Sequence, residues 1–365
     1  MKIATIIGAR PQFIKMAPLS EELNKHFEEI IIHTGQHYDY EMDDIFFDDL
    51  GIPQPDYNLK VGSETPAYQL GDMLKRIEDV LIKEAPDLVI VFGDTNSTLA
   101  GAISAVQNHI PLSHIEAGPR NKYIDVPEMM NRLIVDNISP LLFCATKRNY
   151  KNLKKEALEH NSYFVGDLMY DIFLENLEKI KKNEKILEKI GVEKGEYHVA
   201  TCHRAENTDS KQRLKAVVNG FQKSDETIVF SIHPRTKNML EEFNLMKKVK
   251  ESKNIIEVEP IGYLDFLSLE YHSKKIITDS GGVQREAYFL KKPCINIYDH
   301  TYWPEIEEEG WQVVTGLNDK KIADAIQSFE PKKEQSGIFG EGDAAKKIFD
   351  IIRNYDFSNF YKYER

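Results

Sequence analysis

The chain has 365 residues, 41% hydrophobic and 29% charged, a length and balance that suit two soluble α/β domains better than a single core. Its formal charge is −12 with no long basic tract, which argues against DNA or RNA as a partner because phosphate-backbone binding needs a basic face. Cys144, Cys202 and Cys294 stand far apart, so neither a disulfide framework nor a zinc site is expected, and no run is long enough to span a bilayer.

Polar sequence follows the first apolar run, KIATIIG (2–8), so that run reads as a buried strand rather than a signal peptide, and a cytoplasmic protein is expected. Further short apolar runs follow at EIIIHTG (29–35), DLVIVFGD (87–94), IPLSHIEAG (110–118) and PLLFCAT (140–146). Between them, PLSEELNKHF (18–27), DMLKRIEDVLIKEA (72–85) and TLAGAISAVQNH (98–109) have helical periodicity. The alternation predicts βαβ units and a mainly parallel sheet.

After a charged helical stretch, LENLEKIKKNEKILEKI (174–190), the pattern restarts with EYHVATCHRAEN, TIVFSIHP, NIIEVEPIGY, KKIITDSGG and KPCINIY. Two successive Rossmann-like, doubly wound domains are expected to face a cleft, over residues 1–168 and 169–348. Residues 349–365 would form a C-terminal helix that returns to the first domain. FFDDLGI (46–52) and Phe360–Tyr361 read as packing features.

In open parallel sheets ligands bind beyond the carboxyl ends of the strands, so residues just after the apolar runs are the candidates for chemistry. Asp94 and Glu116 follow two such runs. Glu128 sits behind Pro127, a residue suited to a helix's first turn. Each also has a plainer reading: Asp94 before Thr-Asn-Ser as a helix cap, Glu128 with Arg132 as a four-apart surface ion pair. Arg10 and Lys15 follow the first run. In the second half, Ser280, Gly281 and Gly282 end KKIIT ahead of a helix, where glycines let a diphosphate approach backbone amides and the positive helix end. Glu286, one turn on, suits ribose hydroxyls, with Gln284 beside it. His203, Arg204, Glu206 and Asn207 concentrate donors and charge at another strand end, and His233 ends TIVF. There is no GxGxxG, P-loop, HExxH or GxSxG, and no spacing calls for a metal or cofactor.

Taken in order, GARPQFIK (8–15), HTGQHYD (33–39), GDTNST (93–98), HIEAG (114–118), PEMMNR (127–132), CHRAEN (202–207), HPR (233–235) and DSGGVQRE (279–286) resemble the non-hydrolysing UDP-N-acetylglucosamine 2-epimerases over nearly the whole chain. The resemblance implies the glycosyltransferase-B architecture, a homodimer, a UDP-sugar substrate, and no nucleic acid or membrane partner. It implies elimination of UDP across C1–C2 to a 2-acetamidoglucal, then re-addition with the proton on the other face. By that likeness Asp94, Glu116 and Glu128 are the acid–base carboxylates and His203 lies near the diphosphate. Arg10, His233, Ser280, Gly281, Gly282 and Glu286 match nucleotide-binding positions, with Lys15 and Arg132 in support.

The chain departs from the family pattern at Tyr298, Tyr302 and Trp303, where many members carry Arg-Asp-Thr-Thr-Glu-Arg-Pro-Glu. HRAEN replaces HRREN and QHY replaces QHR at activator-site positions, which predicts little activation by substrate. The alternatives are a 2-epimerase of a modified sugar such as UDP-2,3-diacetamido-2,3-dideoxyglucuronate, a hydrolysing relative, and a UDP-sugar glycosyltransferase. A sugar carboxylate would want a further cation, for which Arg120, Lys122 and Arg285 are candidates.

Overall fold

The computed structural model describes residues 1–36, 51–120 and 126–357, with Arg10 described by its backbone alone. His37 and Tyr38, the stretch 46–50, Lys122 and the Phe360–Tyr361 pair lie outside the described residues. Two units emerge: the described residues of Met1–Glu175 with Gly337–Arg365, and Asn176–Ser336. The division at Glu175 falls inside the helix Leu168–Lys182 rather than at its start, and the stretch expected as one helix over 174–190 is broken, with a second helix at Lys185–Ile190.

In the first unit the strands are β1 (Lys2–Ile7), β2 (Glu28–His33), β3 (Tyr57–Asn58), β4 (Leu88–Phe92), β5 (Leu112–Ile115), β6 (Leu141–Cys144) and β7 (Ser162–Phe164). They form one parallel sheet in the order β3-β2-β1-β4-β5-β6-β7. Every residue of β4 is buried, as expected of a parallel strand covered by helices on both faces. Ile6, Val89 and Val91 pack with Met73 and Ile77 of helix Pro66–Glu84 and Ala102 of helix Asn96–Gln107.

The first helix runs from Arg10 to Leu23, eight residues ahead of the start expected at Pro18. Pro11 suits the opening turn, and the Gln12 side chain accepts the N–H groups of Gly8 (2.7 Å) and Ala9 (3.0 Å). Pro18 lies inside the helix, where it forfeits one backbone hydrogen bond without ending it. Gly8 is there for space: a Cβ would stand 2.1 Å from Ser97 Oγ and 2.2 Å from Thr34 Oγ1.

Helix Ala344–Asn354 belongs to this first unit, where Phe349 meets the rings of His26 at 4.9 Å and Phe27 at 5.6 Å. Its first turn is held by Asp171, whose Oδ2 accepts the Ala345 N–H at 2.8 Å. Burial pushes the Asp171 carboxyl up to about 6; the amides of Ala345 and Ala344 pull it down, while Asp167 and Asp343 add to the rise.

The second unit carries β8 (His198–Thr201), β9 (Ile228–Ser231), β10 (Ile255–Val258), β11 (Ile276–Thr278), β12 (Cys294–Asn296) and β13 (Gln312–Val314), parallel throughout. Their order is β10-β9-β8-β11-β12-β13. Both sheets share one plan. The order reverses next to the first strand of each unit, between β1 and β4 and between β8 and β11, and such switch points are where doubly wound sheets bind ligands.

Candidate active site

In the first unit the strand register brings the acids together. Phe92 of β4 pairs with Ile115 of β5, and the Gly93 N–H donates to the Ile115 carbonyl at 2.9 Å, so Asp94 and Glu116 leave the sheet side by side. Asp94 does not cap the helix that follows. Thr95 does, its side chain accepting from the Thr98 N–H, and the Asp94 carboxylate is left for other partners. Glu116 has φ +65°, a left-handed conformation that costs a non-glycine residue about 1–3 kcal/mol and concentrates at functional sites.

Arg132 ties the two acids. Its Nη1 donates to the Glu116 carbonyl at 2.5 Å and its Nη2 to Glu116 Oε1 at 2.8 Å, while its Nε donates to Asp94 Oδ2 at 3.0 Å. Lys15 meets the other Glu116 oxygen, Oε2. Lys15, Glu116 and Arg132 are all buried, whereas the Asp94 side chain keeps 27% exposure. Burial opposes the Arg132 charge, but the charges of Asp94 and Glu116 prevail and hold its pKa above the ordinary arginine value. Arg132 is therefore a fixed cation that orients the acids and moves no proton. Asn131 adds a 2.9 Å bond to the Asp94 carbonyl.

His114 supports this strand end from beneath. Fully buried, its Nδ1 lies 2.7 Å from Asp136 Oδ1 and its Nε2 2.7 Å from the Gly93 carbonyl. Arg120 donates to the other Asp136 oxygen at 2.7 Å and grips Glu156 with two more bonds, so it is already committed to carboxylates of its own. Glu128 stands exposed in the first turn of helix Pro127–Ile138. The ion pair that its spacing from Arg132 suggested does not form, because Arg132 points to the strand ends.

The second unit is organised by Asp279, directly after β11. It is fully buried and accepts the backbone N–H groups of His203 (3.0 Å) and Arg204 (3.1 Å) and the Asn207 amide (2.9 Å). Asn207 is itself fully buried and also donates to the Ile297 carbonyl at 3.2 Å, so it braces the loop. Ser280 caps helix Gly281–Phe289. A Cβ on Gly281 would meet Tyr302 only at an ordinary 3.6 Å, so packing does not demand glycine there.

The His203 and His233 rings lie 6.1 Å apart, the first with 41% side-chain exposure, and His233 caps helix Pro234–Glu242 through a 3.2 Å bond to its Nδ1. Arg204 donates from Nε to the Asp279 carbonyl and from Nη1 to the Tyr302 hydroxyl, both at 2.7 Å, and stacks 4.1 Å from the Tyr302 ring and 5.2 Å from Tyr298. Arg285 stacks 4.6 Å from Trp303, whose Nε1 donates to the Gly281 carbonyl at 2.9 Å. Gln284 is fully buried and accepts from the Thr301 hydroxyl at 3.2 Å. Glu286 is 5% exposed, and Glu206 is exposed.

The structure thus gathers Lys15, Asp94, Glu116 and Arg132 at one switch point and His203, Arg204, Ser280 and Gly281 at the other. The side chain of Arg10 lies outside the described residues. Gln12, Asn131, the His114–Asp136 pair and Asp279 were not picked out in advance. Asp279 could have been, since a lone acid between a buried strand and a Ser-Gly turn needs several donors. Among the described residues no group of three or more His, Cys, Asp or Glu is placed to hold a metal ion, and no helix is long and apolar enough to cross a membrane.

Two Rossmann-like, doubly wound units define the fold class as α/β of the glycosyltransferase-B type. A family model described as UDP-N-acetylglucosamine 2-epimerase matches residues 21–353. A Methanococcus maripaludis protein named UDP-N-acetylglucosamine 2-epimerase homolog is 51% identical, covering 97% of this chain and 100% of its own. The crystal structure of Methanocaldococcus jannaschii UDP-GlcNAc 2-epimerase in complex with UDP-GlcNAc and UDP superposes with a TM-score of 0.91 at 44% identity, covering 97% of this chain and 99% of that one. A Pseudomonas aeruginosa UDP-2,3-diacetamido-2,3-dideoxy-D-glucuronate 2-epimerase is 40% identical, over 96% of this chain and 99% of its own. The chain belongs to the UDP-N-acetylglucosamine 2-epimerase family and is an epimerase.

Proposed function

We propose that this chain interconverts UDP-GlcNAc and UDP-ManNAc without hydrolysis, as a cytoplasmic homodimer serving polysaccharide synthesis. The observation that carries the reading is the pair of adjacent acids, Asp94 and Glu116, held by one buried arginine at the β4–β5 strand ends. The C2 hydrogen of an acetamido sugar is too weakly acidic for simple exchange. UDP therefore departs from C1 as the C2 proton leaves, giving a 2-acetamidoglucal, and adds back with a proton delivered to the opposite face of C2.

Two faces need two proton-transfer groups, each worth about 10²–10⁴ in rate. Asp94 is partly open to solvent, Glu116 is clamped by Lys15 and Arg132, and Glu128 stands one turn before Arg132; these three supply the acid–base set. The departing diphosphate is received by the amides of Gly281 and Gly282, by Ser280 and by His203, with Arg10, Arg204 and His233 adding cationic or donor contacts. Glu286 accepts the ribose hydroxyls. Glu206 and Gln284 complete the binding set from beside these groups.

Proton NMR of the purified protein with UDP-GlcNAc in D₂O tests this. UDP-ManNAc carrying deuterium at C2 is the expected product. Free ManNAc with UDP would place the protein on the hydrolysing branch.

A second reading, epimerisation of UDP-2,3-diacetamido-2,3-dideoxyglucuronate, is favoured by Tyr298, Tyr302 and Trp303, where many relatives carry charged residues, and by two arginines stacked on those rings. Turnover of the diacetamido uronate with UDP-GlcNAc left untouched would establish it.

A further inference from the structure

Beneath the two acids of the first unit lies a pair of groups that the chemistry above does not use. His114 and Asp136 are both fully buried, and each ring nitrogen of His114 meets an oxygen. Nδ1 lies 2.7 Å from Asp136 Oδ1, and Nε2 lies 2.7 Å from the Gly93 carbonyl. A carbonyl only accepts, so Nε2 carries a proton. An ionised carboxylate also only accepts, and Asp136 is held in that form from its other side, where Oδ2 takes the Arg120 guanidinium at 2.7 Å and the Gly118 N–H at 3.2 Å. Nδ1 therefore carries a proton as well, and both bonds have the length of charge-assisted ones. Burial works against the Asp136 charge, but His114 and Arg120 outweigh it and hold the carboxyl below its ordinary value. Among the described residues, Arg132 on the same helix and Cys144 of β6 also act on Asp136 or are acted on by it. Burial pushes the Cys144 thiol up, so it adds no charge, and Arg120 shares its own with Glu156.

We propose that His114 is a permanently charged imidazolium and a positioning residue, fixing the Gly93–Asp94 peptide on one side and the Glu116–Gly118 turn on the other. The Gly93 carbonyl belongs to the peptide bond that delivers Asp94. With its N–H tied to Ile115 and its carbonyl to His114, Gly93 has one orientation, and so has the acid that follows it. On the neighbouring strand Glu116 leaves between His114, two residues before it, and Gly118, whose N–H the same Asp136 accepts. One ion pair thus sets both acids. Its own proton stays with it, because neither side chain has exposed surface. The inference rests on the proposed acid–base role of Asp94 and Glu116.

Heteronuclear NMR of the histidine ring nitrogens in the whole protein tests the charge. Both His114 nitrogens are expected at the protonated position from about pH 5 to about pH 9, a range in which an ordinary histidine titrates. Asp136→Asn should leave Nδ1 without its proton at neutral pH and lower kcat about five- to tenfold, the difference between a charged and a neutral hydrogen bond. His114→Gln, which copies Nε2 and still donates to Gly93, should retain more kcat than His114→Asn, which copies Nδ1 and does not reach it. The asparagine variant is expected to lose about ten- to hundredfold in kcat with KM little changed. A wild-type Nδ1 that lacks its proton or titrates within that range overturns the proposal, as do equal kcat values for the two His114 variants. Should those variants fail to fold, judged by circular dichroism, an undiminished kcat in Asp136→Asn overturns it instead. If the chain turns over no UDP-sugar, the epimerase reading falls by itself. The ring nitrogens then still decide the charge, and an Asp94 amide signal that stays in place in His114→Asn would overturn the positioning.

Discussion

Replacing Asp171 by asparagine should stabilise the first unit at neutral pH. Its carboxyl lies at about 6 in the folded chain against an ordinary 3.8, chiefly because it is buried. The folded state therefore holds this proton more tightly than the unfolded state, and stability falls as pH rises from roughly 4 to about 6. The whole cost is present above that window. At 1.36 kcal/mol per pKa unit it comes to about 3 kcal/mol. Asparagine removes the charge yet keeps an oxygen for the Ala345 N–H.

The expected gain is about 2–3 kcal/mol at pH 7.5, shrinking towards zero below about pH 4. Urea unfolding across that range, followed by circular dichroism, measures it. Fluorescence is the wrong probe, because Trp303 and Trp311 both lie in Asn176–Ser336. A gain that does not vary with pH, or a variant less stable at every pH, would refute the reasoning and show that the charged bond to the helix end outweighs burial.

Three further outcomes are expected. Asp94→Asn keeps an acceptor for Arg132 but cannot shuttle a proton, so kcat should fall about 10²–10⁴-fold with KM little changed, read from C2 deuterium incorporation. Tyr302→Phe keeps the stacking on Arg204 and loses its hydroxyl partner, which should raise KM for the UDP-sugar about tenfold in steady-state kinetics while leaving thermal stability unchanged. Gly8→Ala forces Ser97 and Thr34 apart and should cost at least about 1–3 kcal/mol, measured as a lowered urea midpoint.

The strands were legible because parallel strands buried on both faces are written as unbroken apolar runs, and LVIVF of β4 is the clearest. The start of the first helix was not, because Pro18 reads locally as a beginning while the bonds that determine the true start come from Gln12. Within the proposed site, Asp94 and Glu116 stand out in the sequence from their places just past apolar runs. The work of Arg132 was hidden: sequence spacing offers it Glu128 four residues away, yet its partners are 16 and 38 residues distant, brought near by the β4–β5 register. The bracing contact of Asn207 was hidden for a similar reason, since nothing local reveals that its amide turns inward to Asp279. Side-chain partners across a sheet depend on tertiary packing, which no periodicity records.

The first unit is discontinuous in the chain: its helix Ala344–Asn354 arrives only after all of Asn176–Ser336. On a ribosome adding about 5–20 residues per second, the β1–β7 sheet waits roughly ten to forty seconds after its last strand for the segment that covers His26 and Phe27. The unit that comes later in sequence has all its own residues sooner. Synthesis order and completion order are therefore reversed, and nascent chains halted before Gly337 would carry a finished second unit and an unfinished first.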